Sequence, residues 1–559
     1  VAKGMYVSFN AGKEINKVKQ AAITNTNKVV IATSGGGKTE GVIKPDVMQM
    51  IGNYFVIDPK GSVYQDCAYL LKKNGYNIRV LNFYDVDLSH HYNPYAYINS
   101  ELDVINLGSD FMNATKEDGE RNDYWTGAAE DFFTSLILYI YKSKDETNKS
   151  FERVVQILTS IDYQDRKLSP VCEYSLLMEK YAIDRENEGL DEDKVVLNYK
   201  GMKGLPQETL GGVVANLQKR LGLWYTEVVS KFTAEDEMEF DNFTKPNSKE
   251  AIFVIYPIGS TTFKPIISMF YQQFISRMKY MASQKCGGSL PVLLNIEADE
   301  ICQISKIPTL KDDIATIRSL GMRMTFVCQS LTQLEAKYEK EAKDILSNCG
   351  IICFFGSRDD KIRKWLCEEQ IGYTTFKVEN KSYSKNGTNE SEQGQRRLLI
   401  TPDELDILCK EDDDYRGRGV FLVGFGRPFK TWKIRADEFH HAEDVYFSWH
   451  PEKRERCFTD IEKEFLPVKE AREKRKSEAQ AEKERAVNTH LGEQFERDYN
   501  DADLVSVTDE DFFEEVYGEA TVQYVKQDKK EKKKKGAVKV EFDKDALFQE
   551  VASEIEKRD

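Results

Sequence analysis

The sequence predicts an α/β fold: a largely parallel sheet, interrupted by an all-helical block and followed by a charged tail. Three observations lead there. Short apolar runs alternate with helical stretches over residues 1–105 and again over 246–450, the pattern of β-α-β units. Between these regions apolar residues recur at helical spacing. Beyond residue 450 the chain becomes densely charged.

The first region holds three candidate strands. Val29 to Ile31 runs into a glycine cluster. Tyr54 to Ile57 ends in Asp58-Pro59-Lys60-Gly61, and Ile78 to Phe83 follows. In the second region, residues 106–245, Trp125, Ala129, Phe132, Phe133, Leu136, Ile137 and Ile140 form one helical stripe, and Val213 to Phe232 reads as another helix. The strand pattern resumes over 246–450 with Ala251 to Tyr256, Val292 to Ile296, Met324 to Cys328 and Ile351 to Phe355. Lys377 to Arg397 is polar and carries an Asn386-Gly387 turn signal, so a loop or long hairpin is expected there. Residues 451–559 read as a charged, partly disordered tail with short amphipathic helices at most.

Composition bounds the function. At 559 residues the chain is too long for one hydrophobic core. The net charge of −15 argues against a generally basic nucleic-acid surface but leaves room for a narrow basic channel. Ten scattered cysteines without zinc spacing read as free thiols. No apolar run is long enough to span a membrane, and the first residue is Val1 rather than Met, so a fragment is expected.

The chemistry is concentrated at Ala32 to Thr39. A buried strand must turn sharply into a helix across Thr33, Ser34, Gly35, Gly36 and Gly37, and glycines let backbone amides converge on a phosphate. Lys38 supplies charge to the β- and γ-phosphates of ATP, and the Thr39 hydroxyl is a ligand for Mg2+. The usual pattern opens with glycine where this chain has Ala32. Such a loop needs a carboxylate at the end of another strand. The segment Asn295-Ile296-Glu297-Ala298-Asp299-Glu300 offers Asp299 for the metal and Glu300 to orient the attacking water, with Glu297 as the competing metal carboxylate. Asp58 and Lys60, also at a strand end, are equally readable as structural or site-lining.

The runs TSGGGKTEGVIKPDVMQ, YFVIDPKGSVYQD and YNPYAYI resemble the VirD4/TraG-type coupling proteins of conjugation and type IV secretion, the Gram-positive branch most closely. The resemblance continues in DEICQISKIPTLKDDIATIRSLGMRMTFVCQSLTQLEAKY, ILSNCG and LITPDEL, and covers residues 1–435. It implies a RecA-like ATPase, hexameric when active, that moves DNA into a secretion channel. It assigns Arg318 as an arginine finger reaching a neighbour's γ-phosphate and Gln329 as a γ-phosphate sensor. The helical block corresponds to the all-α domain that receives relaxase, with its single-stranded DNA, and accessory proteins. Channel subunits would be further partners. The resemblance also implies an N-terminal membrane anchor that this chain lacks, which would place the protein on the cytoplasmic side of the membrane. The soluble piece could then be monomeric. Arg323 and Lys361 to Lys364 are basic candidates for a pore. Two rivals stand beside this reading. One is another RecA-like DNA motor, of the chromosome-partitioning or VirB4 type. The other is a docking receptor using ATP as an assembly switch.

Overall fold

The computed structural model describes residues 25–33, 35–116, 120, 123–384, 387–409, 417–424, 426–433 and 435–475, with residues 9–10, 13–14, 477–478, 481 and 485. The chain divides into two compact units, Val1–Pro467 and Val468–Asp559. In the second, residues 468–475 are helical, and most of the expected tail lies outside the described residues.

The first unit is built on a nine-stranded sheet. In chain order its strands are β1 (Lys28–Ile31), β2 (Asn53–Pro59), β3 (Asn77–Asn82), β4 (Glu250–Tyr256), β5 (Leu294–Ala298), β6 (Met322–Cys328), β7 (Ile351–Phe354), β8 (Arg418–Val423) and β9 (Phe429–Trp432). Their spatial order is β9-β8-β7-β1-β6-β5-β2-β4-β3. The seven strands from β7 to β3 are parallel, and β8 and β9 extend that edge as an antiparallel hairpin. The expected runs are strands because they are buried on both faces, as a helix-covered parallel sheet requires.

One expectation is corrected in register: β5 is Leu294–Ala298, two residues later than the apolar run suggested. The polar residues that seemed to interrupt it are inside. Asn295 donates from Nδ2 to the carbonyls of Ile51 (2.5 Å) and Asn53 (2.9 Å), so its amide nitrogen is satisfied in the interior, while its Oδ1 is buried without a partner among the described residues.

The two faces of the sheet are covered differently. On one, Phe55 stacks with Phe270 and Phe274 of the helix Lys264–Tyr280, at centroid distances of 5.8 and 4.8 Å. On the other lie the helix Ser62–Lys73, through Tyr64 against Phe253 at 5.4 Å, and the helical turns Thr39–Ile43 and Lys44–Met48 that follow β1. The first of these turns is wide, with the Lys44 amide donating to Thr39 O. Pro45 has no amide to give to Gly41, four residues back, and its ring would press on that carbonyl, so a wide turn here relieves both defects.

Helices fill the segment between β3 and β4: Glu101–Ala114, Tyr124–Lys142, Phe151–Thr159, Glu173–Asn187, Lys194–Gly204, Gln207–Arg220 and Glu227–Phe232, with a two-residue ribbon at Tyr163–Gln164 and Lys167–Leu168. Phe132, Phe133, Leu136, Ile137 and Ile140 are buried as the stripe demands, while Trp125 is 39% exposed. Tyr373–Ser384 and Gly387–Leu398 pair as a long two-stranded ribbon, the expected hairpin; Asn386 itself lies outside the described residues. Residues just past 450 still belong to the first unit: the Thr459 amide donates to Gln65 O and Phe465 is buried.

Candidate nucleotide-binding site

Parallel strands present their C-terminal ends to one edge of the sheet, and loops gathered there form sites. The loop 32–39 follows β1, Asp299-Glu300 follows β5, and Gln329 follows β6. Because β1, β6 and β5 are adjacent, three sequence-distant segments meet.

The loop's shape depends on its glycines at specific places. Gly35 (φ +78°) and Gly37 (φ +77°) occupy the left-handed region. Gly36 is constrained by space: a Cβ there would lie 3.0 Å from Ala32 Cβ and 3.1 Å from Thr33 O. Ala32 is fully buried, with its amide donating to Cys328 O at 3.3 Å. The departure from glycine at position 32 is therefore absorbed in the interior and does not obstruct the loop. The Thr33 amide donates to Gly356 O at 3.0 Å, which ties the loop to the end of β7. Ser34 lies outside the described residues.

Thr39 Oγ1 donates to Asp299 Oδ2 at 2.7 Å. Lys38 Nζ donates to Glu300 Oε1 at 2.8 Å, and Gln329 Nε2 donates to the same oxygen at 2.9 Å. Lys38, Thr39, Asp299, Glu300 and Gln329 thus form one connected cluster. Burial pushes the Asp299 carboxyl up from its ordinary range, against the opposing pull of Thr39 and Lys38. Among the described residues its Oδ1 is buried without a hydrogen-bond partner. A hydroxyl beside a carboxylate with a spare buried oxygen is a donor set that fits a hard cation such as Mg2+.

Glu300 has φ +54°, a left-handed backbone for a residue with a side chain. Such a conformation costs on the order of 1–3 kcal/mol and persists where surrounding structure imposes it. Here the Gln303 amide donates to Glu300 O at 2.8 Å, and both Lys38 and Gln329 hold the carboxylate.

Glu297 is not the residue beside Thr39. It lies on the same sheet face as Asp299, two residues deeper, and is fully buried. Its neighbours are Thr325 on β6, Lys28 beyond it on β1, Arg323, and Asp46 from the helix above, which is ion-paired with Lys28. Burial, reinforced by Asp46, pushes the Glu297 carboxyl up to about 8. Thr39 and Asp46, seven residues apart on one helical face, reach these two levels of the same sheet face. Arg323, expected as a pore candidate, is corrected by the same geometry: it is only 6% exposed, within β6.

Asp58 is structural in its contacts. Its Oδ2 accepts from the Tyr64 amide at 2.8 Å, capping the helix Ser62–Lys73 across a turn in which Lys60 and Gly61 have positive φ. Burial pushes its carboxyl up to about 7. Lys60 is exposed.

Arg318 is not brought to the cluster. It is exposed on the turn Ile317–Leu320 before β6, at the opposite end of that strand from Gln329. Seven residues of strand separate the two ends, roughly 20 Å. Lys361 pairs with Glu335 at 2.7 Å, and Arg363 with Asp360 and Asp406. Sequence reasoning missed Asp46, Tyr256 and Lys433. Tyr256 ends β4 with a buried, unpartnered hydroxyl close enough to Asp299, Glu300 and Asp58 to feel their charges. No local pattern marks any of the three.

Among the described residues, no helix is long and apolar enough to cross a membrane.

The family model described as type IV secretory system conjugative DNA transfer matches residues 3–424. Protein VirD4 of Rhizobium radiobacter is 23% identical over 424 residues, covering 73% of this chain and 56% of that protein. Conjugal transfer protein TraG of Escherichia coli is 21% identical over 430 residues, covering 72% of this chain and 65% of its own length. The chain thus spans little more than half the length of the VirD4 relatives it matches. Among solved structures, the unbound bacterial conjugative coupling protein TrwBdeltaN70 superposes with a TM-score of 0.55 at 16% identity, covering 78% of this chain and 90% of that one. TrwB in complex with ADP and Mg2+ gives 0.53 at 14% identity, over 77% and 89% of the two chains. The fold is therefore the RecA-type α/β fold of that coupling protein. With a family match over most of its length, the chain belongs to the type IV secretory system conjugative DNA transfer family.

Proposed function

We propose that this chain binds ATP with Mg2+ at the loop 32–39 and hydrolyses it to deliver DNA into a type IV secretion channel. The observation that carries the reading is the convergence of Lys38, Thr39, Asp299, Glu300 and Gln329 from three strand ends.

Amides of the loop, including those of Gly35 and Gly37, cradle the phosphates, while the Gly36 amide holds the loop's own shape by donating to Thr33 O at 3.0 Å. Lys38 exchanges Glu300 for the β- and γ-phosphates, and Thr39 and Asp299 hold the cation. Bound Mg2+ would neutralise charge on the phosphate oxygens. Released from Lys38, the Glu300 carboxylate orients the attacking water. Gln329 shares the same oxygen, so a change at Glu300 is passed to the segment after β6. Arg318, roughly a strand length from its own chain's cluster, acts on the site of a neighbouring copy, which makes the active form a ring, in this reading a hexamer.

The finer assignments rest on family membership. Residues 1–105 and 246–450 act as the motor, and the helices of 106–245 receive relaxase and accessory proteins. Single-stranded DNA bound to relaxase is the cargo, channel subunits are the receiving partners, and an anchor holds the protein at the cytoplasmic side of the membrane. The test is Mg2+-dependent ATP binding: wild type binds, and Asp299→Ala loses the Mg2+ dependence. Equal Mg2+ dependence in both would refute the assignment of the cluster.

A further inference from the structure

The hairpin β8–β9 is separated from β1 by β7, yet it reaches the phosphate loop. Lys433, immediately after β9, is 8% exposed and donates from Nζ to the Gly36 carbonyl at 3.3 Å. Its ammonium stands 5.5 Å from the Phe355 ring centroid, at the end of β7. Its stem lies along the loop, since a Cβ on Gly37 would be 3.9 Å from Lys433 Cδ. On the other side is Gly417, whose carbonyl accepts the Lys433 amide at 3.2 Å. A Cβ on Gly417 would stand 3.0 Å from Lys433 Nζ.

The contact falls on a peptide that needs fixing. Turning over the Gly36–Gly37 peptide changes ψ of Gly36 and φ of Gly37 (φ +77°), and both residues are glycines that tolerate either hand, so the peptide needs an outside contact to fix its direction. In a trans peptide the N–H points opposite to the C=O. An ammonium held on the Gly36 carbonyl therefore sets the direction of the Gly37 N–H. A hydrogen bond from a charged donor is among the stronger ones available for that purpose.

We infer that Lys433 is a positioning residue of the nucleotide site, clamping the Gly36–Gly37 peptide so that the Gly37 amide is presented to a bound phosphate. The inference rests on the nucleotide-binding reading of the loop. It also makes the edge hairpin part of the site.

The test is binding of a fluorescent ADP with Mg2+ to the full chain, with folding checked by circular dichroism and thermal unfolding. Lys433→Met keeps the stem and removes the ammonium, and weakens ADP binding about 10-fold or more. Lys433→Arg, which keeps the charge, restores most of that affinity, which a purely structural role would not predict. Gly417→Ala crowds the ammonium from the opposite side but also strains a backbone at φ +58°, so its weaker binding supports the clamp only where thermal unfolding matches wild type; Lys433→Gln, which keeps a polar stem without the charge, decides the matter if Lys433→Met does not fold. Wild-type affinity in a folded Lys433→Met or Gly417→Ala variant overturns the clamp and leaves the nucleotide site standing. Failure of the wild-type chain to bind ADP overturns both.

Discussion

Glu300 Oε1 accepts hydrogen bonds from Lys38 Nζ at 2.8 Å and from Gln329 Nε2 at 2.9 Å. One carboxylate oxygen thus holds both the residue that would bind the phosphates and the residue that would report their loss. A nucleotide must take Lys38 from Glu300, so phosphate binding and release of the carboxylate are one exchange.

Glu300→Gln tests that exchange. The amide keeps the size of the side chain, gives up the charge that holds Lys38, and cannot act as a base toward water. ATP binding should be retained or tightened while turnover falls about 10²–10⁴-fold. Equilibrium binding beside single-turnover kinetics separates the two effects.

Lys38→Ala removes the charge that meets the phosphates. ADP affinity should fall about 10–100-fold, as for loss of a hydrogen bond to a charged group, and turnover should be undetectable. Titration with fluorescent ADP and a phosphate-release assay check both.

Arg318→Ala should leave ADP affinity unchanged and reduce turnover about 10³-fold, the scale of an arginine finger. Because Arg318 lies at the far end of β6 from its own Gln329, the loss should be complemented in trans. Mixing Arg318→Ala chains, with intact Lys38, and Lys38→Ala chains, with intact Arg318, should restore partial activity. Absence of recovery in mixed assemblies would argue for a different role.

A pH effect is expected away from the site. Burial and the neighbouring Asp313 push the Asp110 carboxyl up to about 7. The folded chain therefore binds more protons at this position than the unfolded chain between about pH 4 and 7. The contribution of Asp110 is most favourable below about pH 4, declines as pH rises to about 7, and is constant above. Asp110→Asn removes that slope and stabilises the chain at pH 8 by about 1–2 kcal/mol. Denaturant unfolding at pH 5 and pH 8 measures it.

Much of this was legible in the sequence for identifiable reasons. Most of the parallel strands carry apolar runs because both faces are covered, and Lys38, Thr39, Asp299, Glu300 and Gln329 all lie in the loops that follow strands. What escaped was set by long-range contacts. Asn295 and Glu297 made β5 look weak, whereas the Asn295 Nδ2 donates to Ile51 and Asn53 and Glu297 sits among Lys28, Asp46 and Arg323. Arg323 read as a basic pore candidate because nothing nearby in sequence announces that neighbourhood. The hairpin β8–β9 was not picked out, and Lys433 meets Gly36 across 397 positions of sequence. Helical spacing placed Trp125 on the buried stripe, but it is 39% exposed near the start of its helix.

The central claim is that the cluster around Glu300 is a DNA-coupled hydrolysis site. The most direct measurement is ATP turnover by the wild-type chain with and without single-stranded DNA, beside Lys38→Ala and Arg318→Ala. The account predicts turnover that DNA raises, that Lys38→Ala abolishes and that Arg318→Ala lowers about 10³-fold with ATP binding retained. Turnover indifferent to DNA, or surviving in Lys38→Ala, would contradict it.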